Sequence, residues 1–138
     1  MKLFLPVQRA ALLIPTGDDD KKHLFVLLTN PTKYPTAQDQ ELTLLVNISS
    51  VRKFKPHDNT CLLYPGDHPF IRHDSYVNYH FARIEETRKL INGCKKGLFI
   101  NSDPFDSDIC ARICNGLLNS RHTTLKIKKF YSFCSNAT

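Results

Sequence analysis

Residues 41–50 place the strongest constraint on the fold, because every second position in this segment is apolar. The apolar positions are Leu42, Leu44, Val46 and Ile48. Successive side chains of a β-strand point to opposite faces of its sheet, so these four residues would share one face. We therefore expect a well-formed strand here, at the centre of a strand-rich region that extends to residue 84.

Other segments also have the composition of strands, rich in β-branched, aromatic or aliphatic residues and bounded by turn residues. In residues 75–84 the alternation predicts Val77, Tyr79 and Phe81 on one face. Pro65-Gly66 suits the centre of a type II turn, where glycine supplies the positive φ. The predicted additional strands are residues 24–28, 60–64, 75–84 and 125–133. The uninterrupted apolar run of residues 24–28 is typical of a strand covered on both faces.

A helix is predicted for residues 108–118. Ser107 is a candidate N-cap, and Ile109, Ile113 and Leu117 recur every four residues on one helix face. Short strands followed by a late helix predict a single domain over residues 1–138 that is mainly β with α. We expect a small β-barrel or sandwich capped by this C-terminal amphipathic helix.

Composition indicates a soluble, cytoplasmic protein. No apolar run approaches the ~20 residues of a membrane span, and Gln8 interrupts the apolar start before a signal peptide could form. Five cysteines are an odd number at irregular spacing, which favours reduced thiols over a disulfide framework. Cys110 and Cys114 have helical spacing; this permits a metal pair but is more typical of two small side chains packed in a core.

A basic loop follows the 41–50 strand. The chain carries a formal charge of +6, and Arg52, Lys53 and Lys55 concentrate part of it. These cations could neutralise backbone phosphates, and Phe54 among them could stack on a base. The alternative is a solvated loop with Phe54 folded back onto the barrel.

Histidines and aspartates surround the predicted turn, and such residues bind zinc or transfer protons. The spacing of His57, His68 and His73 matches no compact ligand pattern, so we expect no metal and no cofactor. Turn and capping roles are the better interpretation for Asp67, His68 and Asp74.

The order of these elements resembles that of the PemK/MazF-like family over residues 12–118. The resemblance implies an SH3-like barrel with a C-terminal helix. It also implies cleavage of single-stranded RNA without metal, by a toxin that pairs with an antitoxin protein and forms a homodimer. The motifs that carry the resemblance are Asn47-Ile48-Ser49-Ser50, Asp74-Ser75-Tyr76-Val77 and Ala82-Arg83-Ile84.

The resemblance also implies a site. Ser49 and Ser50 resemble the Thr/Ser pair that ends the family's central strand. Where active relatives have Arg-Pro before the first long apolar strand, this chain has Lys22-His23. The predicted catalytic residues are Ser50, His23 and Lys22, and the predicted RNA-binding residues are Ser49, Arg52, Lys53, Phe54 and Lys55.

Three functions remain open on this basis. The first is an RNA-cleaving enzyme, and the second is a non-catalytic relative that binds RNA or a protein. The third is a metal-dependent hydrolase that uses His57, His68 and His73. The first requires Lys22 and Ser50 to lie close together with Ser50 accessible, because both must reach one phosphate.

Overall fold

The computed structural model describes residues 3–16 and 21–137. Within these residues the chain forms a seven-stranded antiparallel sheet and three helices. The elements in chain order are β1 (Ala11–Pro15), β2 (Lys22–Leu27), β3 (Thr32–Lys33), β4 (Glu41–Ser50), β5 (Leu62–Leu63), β6 (Ser75–Glu86), α1 (Thr87–Lys95), β7 (Ile100–Ser102), α2 (Ser107–Asn119) and α3 (Leu125–Ala137).

The sheet curls into a half-barrel with the strand order β5-β6-β4-β2-β1-β7, and β3 pairs with β4. The mixed β/α character is thus confirmed. The strand predicted from alternation is also confirmed, because β4 covers Glu41–Ser50 and lies between β2 and β6. None of the helices in the described residues is long and apolar enough to cross a bilayer.

Both faces of the central sheet are covered, which explains why β4 is apolar at more than every second position. Leu44 and Val46 belong to a core shared with α2 and α3. Leu45, on the opposite face, belongs to a second core with Phe25 and with Leu90 of α1. The prediction that the 24–28 strand is covered on both faces is confirmed, because Leu24 and Val26 enter the first core and Phe25 enters the second. The helix α1 was not predicted.

The strand predicted at residues 75–84 is present as the longer β6, but its alternation breaks. Val77 and Tyr79 are buried as expected, whereas Phe81 is 60% exposed. The pairing of β4 with β6 shifts register, because Asn47 pairs with Asn78 but Leu45 pairs with Arg83. Four residues of β6 therefore face one residue of β4, and such an irregularity bends a strand and turns its side chains.

The predicted helix is confirmed with a small change at its start. α2 begins at Ser107, so Asp106 is the N-cap and the expected cap at Ser107 is wrong. Ile113 and Leu117 are fully buried. Cys110 and Cys114 are also buried, in agreement with the packing interpretation of this pair.

Close contact between α2 and β6 depends on Gly116. A Cβ atom at this position would lie 2.1 Å from the Tyr79 hydroxyl oxygen. That hydroxyl is held in place because it donates a hydrogen bond of 2.7 Å to the carbonyl oxygen of Ile113. The absence of a side chain at Gly116 thus lets the helix approach the buried tyrosine.

The strand predicted at residues 125–133 is wrong, because this segment lies in the helix α3 (Leu125–Ala137). The buried residues Ile127, Phe130 and Cys134 are spaced by three and four positions, which is the spacing of one helix face. Thr124 supports the helix start, since its hydroxyl accepts a hydrogen bond of 3.3 Å from the Ile127 amide. The expected single C-terminal helix is therefore one of three.

The turn before β6 is confirmed. Gly66 has a φ of 103°, and the Asp67 amide donates to the Tyr64 carbonyl oxygen at 2.9 Å. The strand predicted just before it is shorter than expected, because only Leu62–Leu63 pairs, as β5. In the Asp67 side chain, Oδ2 accepts a hydrogen bond of 2.8 Å from the Tyr64 amide, which bears out the predicted turn role of this aspartate.

Candidate functional site

A cavity of about 810 Å³ lies at the end of the sheet where β2 begins and β4 ends. The loop after β4 and the chain leading into β6 complete its walls. We call it the cationic cavity, because its lining includes five lysines and arginines and three histidines. These residues are Lys21, Lys22, Arg52, Lys55 and Arg72, together with His23, His57 and His73.

Strand pairing explains why residues far apart in sequence meet here. β2 and β4 are antiparallel, and Leu24 pairs with Ile48. Beyond this last pair, Lys22 begins β2 and Ser50 ends β4, and both residues line the cationic cavity.

The predicted catalytic residues are accessible in this arrangement. Ser50 and Lys22 are exposed, and His23 is half-buried. All three line the same cavity. Ser50 is therefore accessible and shares one cavity with Lys22 and His23.

Ser49 is held more firmly than Ser50. Its hydroxyl oxygen accepts hydrogen bonds from the side-chain amides of Asn47, at 3.4 Å, and Asn78, at 3.5 Å. Because these two donors approach the oxygen, the hydroxyl proton is directed elsewhere. Ser49 also lines the cavity, so this proton suits donation to an anion there.

The basic loop contributes only some of its predicted residues. The Val51 amide donates to the Asp74 carbonyl oxygen at 2.9 Å, and the Lys55 amide donates to the Arg52 carbonyl oxygen at 3.3 Å. The second bond closes a tight turn in which Phe54 adopts a φ of 65°. Arg52 and Lys55, at the base of this turn, line the cavity.

Phe54 and Lys53 lie at the tip of the turn and are outside the cavity lining. The Phe54 side chain is fully exposed at 101%. It therefore neither folds back onto the sheet nor faces the cationic cavity. The structure places no aromatic residue of the basic loop where a base held by these cations would stack.

The sequence missed several lining residues from the chain before and within β6. The signal was present in the strand register, because Ser50 pairs with Ser75 and the residues before Ser75 must lie near the end of β4. Sequence alone gave the two strands but not their pairing. The missed residues there are Phe70, Arg72 and Tyr76, whereas His57 and His73 were named only as candidates for a metal-dependent hydrolase.

His57 is positioned against an aromatic ring. Its imidazole lies 5.1 Å from the Tyr76 ring, with an angle of 34° between the planes. Its Nδ1 atom is enclosed without a hydrogen-bond partner among the residues that the structure describes. Together His57 and Tyr76 form one wall of the cavity.

His68 does not join the other two histidines. Its side chain is buried, and Nδ1 accepts a hydrogen bond of 3.1 Å from the Phe70 amide. Nε2 therefore carries the proton and donates to the Asp103 carbonyl oxygen at 2.6 Å. This structural role agrees with the predicted turn function. Because both ring nitrogens of His68 are engaged in hydrogen bonds, the residue is not a candidate metal ligand.

No group of three or more potential metal ligands is found within residues 3–16 and 21–137. The described part of the cavity lining also contains no aspartate or glutamate. Residues 17–20, which precede Lys21 in the sequence, lie outside the described residues. Concentrated positive charge on a concave surface attracts anions, and phosphate is the group that lysine and arginine clusters bind.

No family model, curated protein or solved structure matches this chain. The function is therefore inferred from the chemistry of the cationic cavity.

Proposed function

We propose that the protein binds single-stranded RNA in the cationic cavity. The observation that carries this proposal is the set of Lys22, Arg52, Lys55 and Arg72 in one cavity whose described lining holds no carboxylate. Such a set neutralises backbone phosphates and releases their counterions, which drives nucleic-acid binding. A concave site with aromatic walls favours a single strand, because its unpaired bases are free to turn inwards.

We also propose that the protein is PemK/MazF-like and that its half-barrel belongs to the SH3-like class. What supports it is the cavity that Ser49 and Ser50 line together with Lys22 and His23. The same resemblance implies a homodimer and an antitoxin partner, and both remain predictions.

Metal-independent cleavage is the proposed activity. In this reaction the 2′-oxygen forms a bond to the adjacent phosphorus, and the bond from phosphorus to the 5′-oxygen breaks. His23 accepts the proton of the 2′-hydroxyl, while Ser50 donates a hydrogen bond to the phosphate. The 5′-oxygen leaves with the bonding electron pair and takes a proton from water, so the products are a 2′,3′-cyclic phosphate and a 5′-hydroxyl. Lys22 offsets the charge that develops on the phosphate oxygens.

The second candidate function is binding of RNA or a protein without cleavage. The feature that favours it is Lys22 at the position where active relatives have arginine. Lysine lacks the planar fork that holds two phosphate oxygens together, so this difference weakens transition-state stabilisation. The two candidates share the cavity and differ in whether the phosphate reacts.

An assay of single-stranded RNA in the presence of a chelator tests both candidates. We expect the wild-type protein to bind and cleave RNA, and Ser50→Ala to abolish cleavage with affinity retained. Ser135→Ala, a matched change on α3, should leave both unchanged. RNA bound but intact would support the non-catalytic candidate, and the absence of both binding and cleavage at low salt would refute the proposal.

A DNA strand of the same sequence provides a chemical control for the reaction. It presents the same phosphates but lacks the attacking 2′-hydroxyl. We expect it to bind and to stay intact. Cleavage of this DNA would rule out the 2′-hydroxyl mechanism.

A further inference from the structure

Phe70 is an exposed aromatic residue on the wall of the cationic cavity. Its side chain is 46% exposed, although the next residue, Ile71, is buried in the first core. Burying Phe70 as well would gain free energy from the removal of apolar surface from water. Its exposure at a concave charged site is therefore a feature that a ligand would use.

The backbone at Phe70 is held by the buried His68. The Nδ1 atom of His68 accepts a hydrogen bond from the Phe70 amide. The His68 carbonyl oxygen accepts a second hydrogen bond, of 2.9 Å, from the Ile71 amide. The imidazole stacks on Phe105, with ring centroids 4.5 Å apart and an interplanar angle of 24°. These contacts fix the turn before binding, so little conformational entropy is lost when a ligand contacts Phe70.

Cationic groups lie next to this aromatic ring. Arg72 and His73 follow Phe70 in the chain, and both line the same cavity. The loop after β4 supplies Arg52 and Lys55. Phosphate-binding cations beside an accessible aromatic face are the combination by which proteins hold single strands without reading their sequence.

We propose that Phe70 is a base-stacking platform for single-stranded RNA. An unpaired base stacks on the Phe70 ring while the neighbouring phosphates contact Arg72 and the other cations of the cavity. This inference rests on the proposed RNA binding and names the residue that holds the base. It gives Phe70 the role that the sequence suggested for Phe54.

Two ligands of equal length separate stacking from phosphate binding. One is a 2′-O-methyl RNA, which cannot be cleaved because its nucleophile is blocked. The other is an oligomer with the same number of phosphates and no bases. Fluorescence anisotropy with labelled oligomers gives the affinity of each variant for each ligand.

Phe70→Ala should weaken binding of the 2′-O-methyl RNA by roughly 5- to 150-fold, the range for loss of one stacked base. Its affinity for the abasic oligomer should stay unchanged. Phe70→Leu, which keeps apolar bulk without a π-face, should weaken RNA binding similarly, and Phe70→Trp should retain it. Phe54→Ala and Tyr64→Ala, exposed aromatic residues outside the cavity lining, should change neither affinity.

The outcomes distinguish this inference from the proposal beneath it. If wild-type protein binds neither oligomer, the proposed RNA binding is wrong. If it binds both and Phe70→Ala changes neither affinity, RNA binding stands and stacking on Phe70 is wrong. Equal weakening for both oligomers would show that Phe70 only shapes the cavity, which also contradicts stacking.

Discussion

At the scale of single residues, Asp58 connects the chain after the basic loop to the segment between α2 and α3. Its Oδ2 atom accepts a hydrogen bond of 2.5 Å from the hydroxyl of the buried Ser120. Its Oδ1 atom accepts from the amide of Thr60 at 2.9 Å. Partial burial alone would raise the pKa of Asp58, but the hydrogen bonds from Ser120 and Thr60 together lower it.

This contact predicts a pH-dependent contribution to stability. The lowered pKa means that the ionised carboxylate is favoured in the folded state, so the contribution is present above pH about 4 and is lost as pH falls through the folded pKa. We expect Ser120→Ala to reduce the free energy of unfolding by about 1 kcal/mol at pH 7, because a hydrogen bond to a carboxylate is lost.

Urea unfolding of wild type and Ser120→Ala at pH 7 and at pH 3 measures this difference. The gap between the two proteins should be smaller at pH 3 than at pH 7, because the contribution of a lowered pKa declines once the pH falls below the ordinary value for aspartate. A gap of equal size at both values would mean that the hydroxyl acts independently of the carboxylate charge.

Residue-level prediction succeeded where strand ends fix positions and failed in loops. Lys22 begins β2 and Ser50 ends β4, and both line the cationic cavity. Phe54 was misplaced because a left-handed turn, with φ of 65°, directs it away from the sheet. Phe70 was missed because its exposure depends on His68, whose partner carbonyl at Asp103 is distant in sequence.

At the scale of elements, α3 shows how a short pattern misleads. Lysines interleaved with apolar residues in 125–133 fit a two-residue period over a few positions. The distinguishing signal is Cys134, which completes a helical set with Ile127 and Phe130 but lies outside the predicted strand. The whole of α1 was missed: the run 24–28 indicated a second covered face, but not that Leu90 of a helix covers it.

The helical assignment of α3 predicts unequal effects for two phenylalanines. Phe130 is fully buried, whereas Phe133 is 36% exposed. Both rings have centroids 5.1 Å from that of Tyr34, so the two positions share a partner and differ in burial. We expect Phe130→Ala to cost about 3 to 5 kcal/mol and Phe133→Ala about 1 kcal/mol or less.

Thermal and urea unfolding of the two variants provides the test. Since both changes remove the same atoms and a contact to the same ring, the difference reports which helix face packs on the sheet. Equal losses of stability would contradict the assigned orientation of α3.

At the scale of the whole molecule, two cores stabilise the half-barrel, and the proposed binding site is a cavity at one end of the sheet. The two cores lie on the two faces of the sheet and hold β2, β4 and β6 in register. The cationic cavity lies where β2 and β6 begin and β4 ends, so its residues come from strand ends and the loops between them. The longer strands β2, β4 and β6 could be predicted from the sequence, whereas β1, β3 and β7 were missed. The curvature and the register depend on contacts between distant segments.

The charge of the molecule is uneven as well as positive. Five of the 19 lysines and arginines line one cavity, whereas the exposed Lys126 and Lys129 of α3 lie outside its lining. If RNA binds through the cavity, local charge must matter more than the formal total of +6.

The salt dependence of RNA affinity tests this claim most directly. Binding of 2′-O-methyl RNA is measured by anisotropy between about 50 and 200 mM salt for wild type, Arg72→Ala and Lys126→Ala. With up to five phosphate contacts, log K should fall against log salt with a slope of about −2 to −3.5. Arg72→Ala should weaken binding and make the slope shallower by about 0.7, with Lys126→Ala unchanged. A slope near zero, or equal losses in both variants, would contradict binding in the cationic cavity.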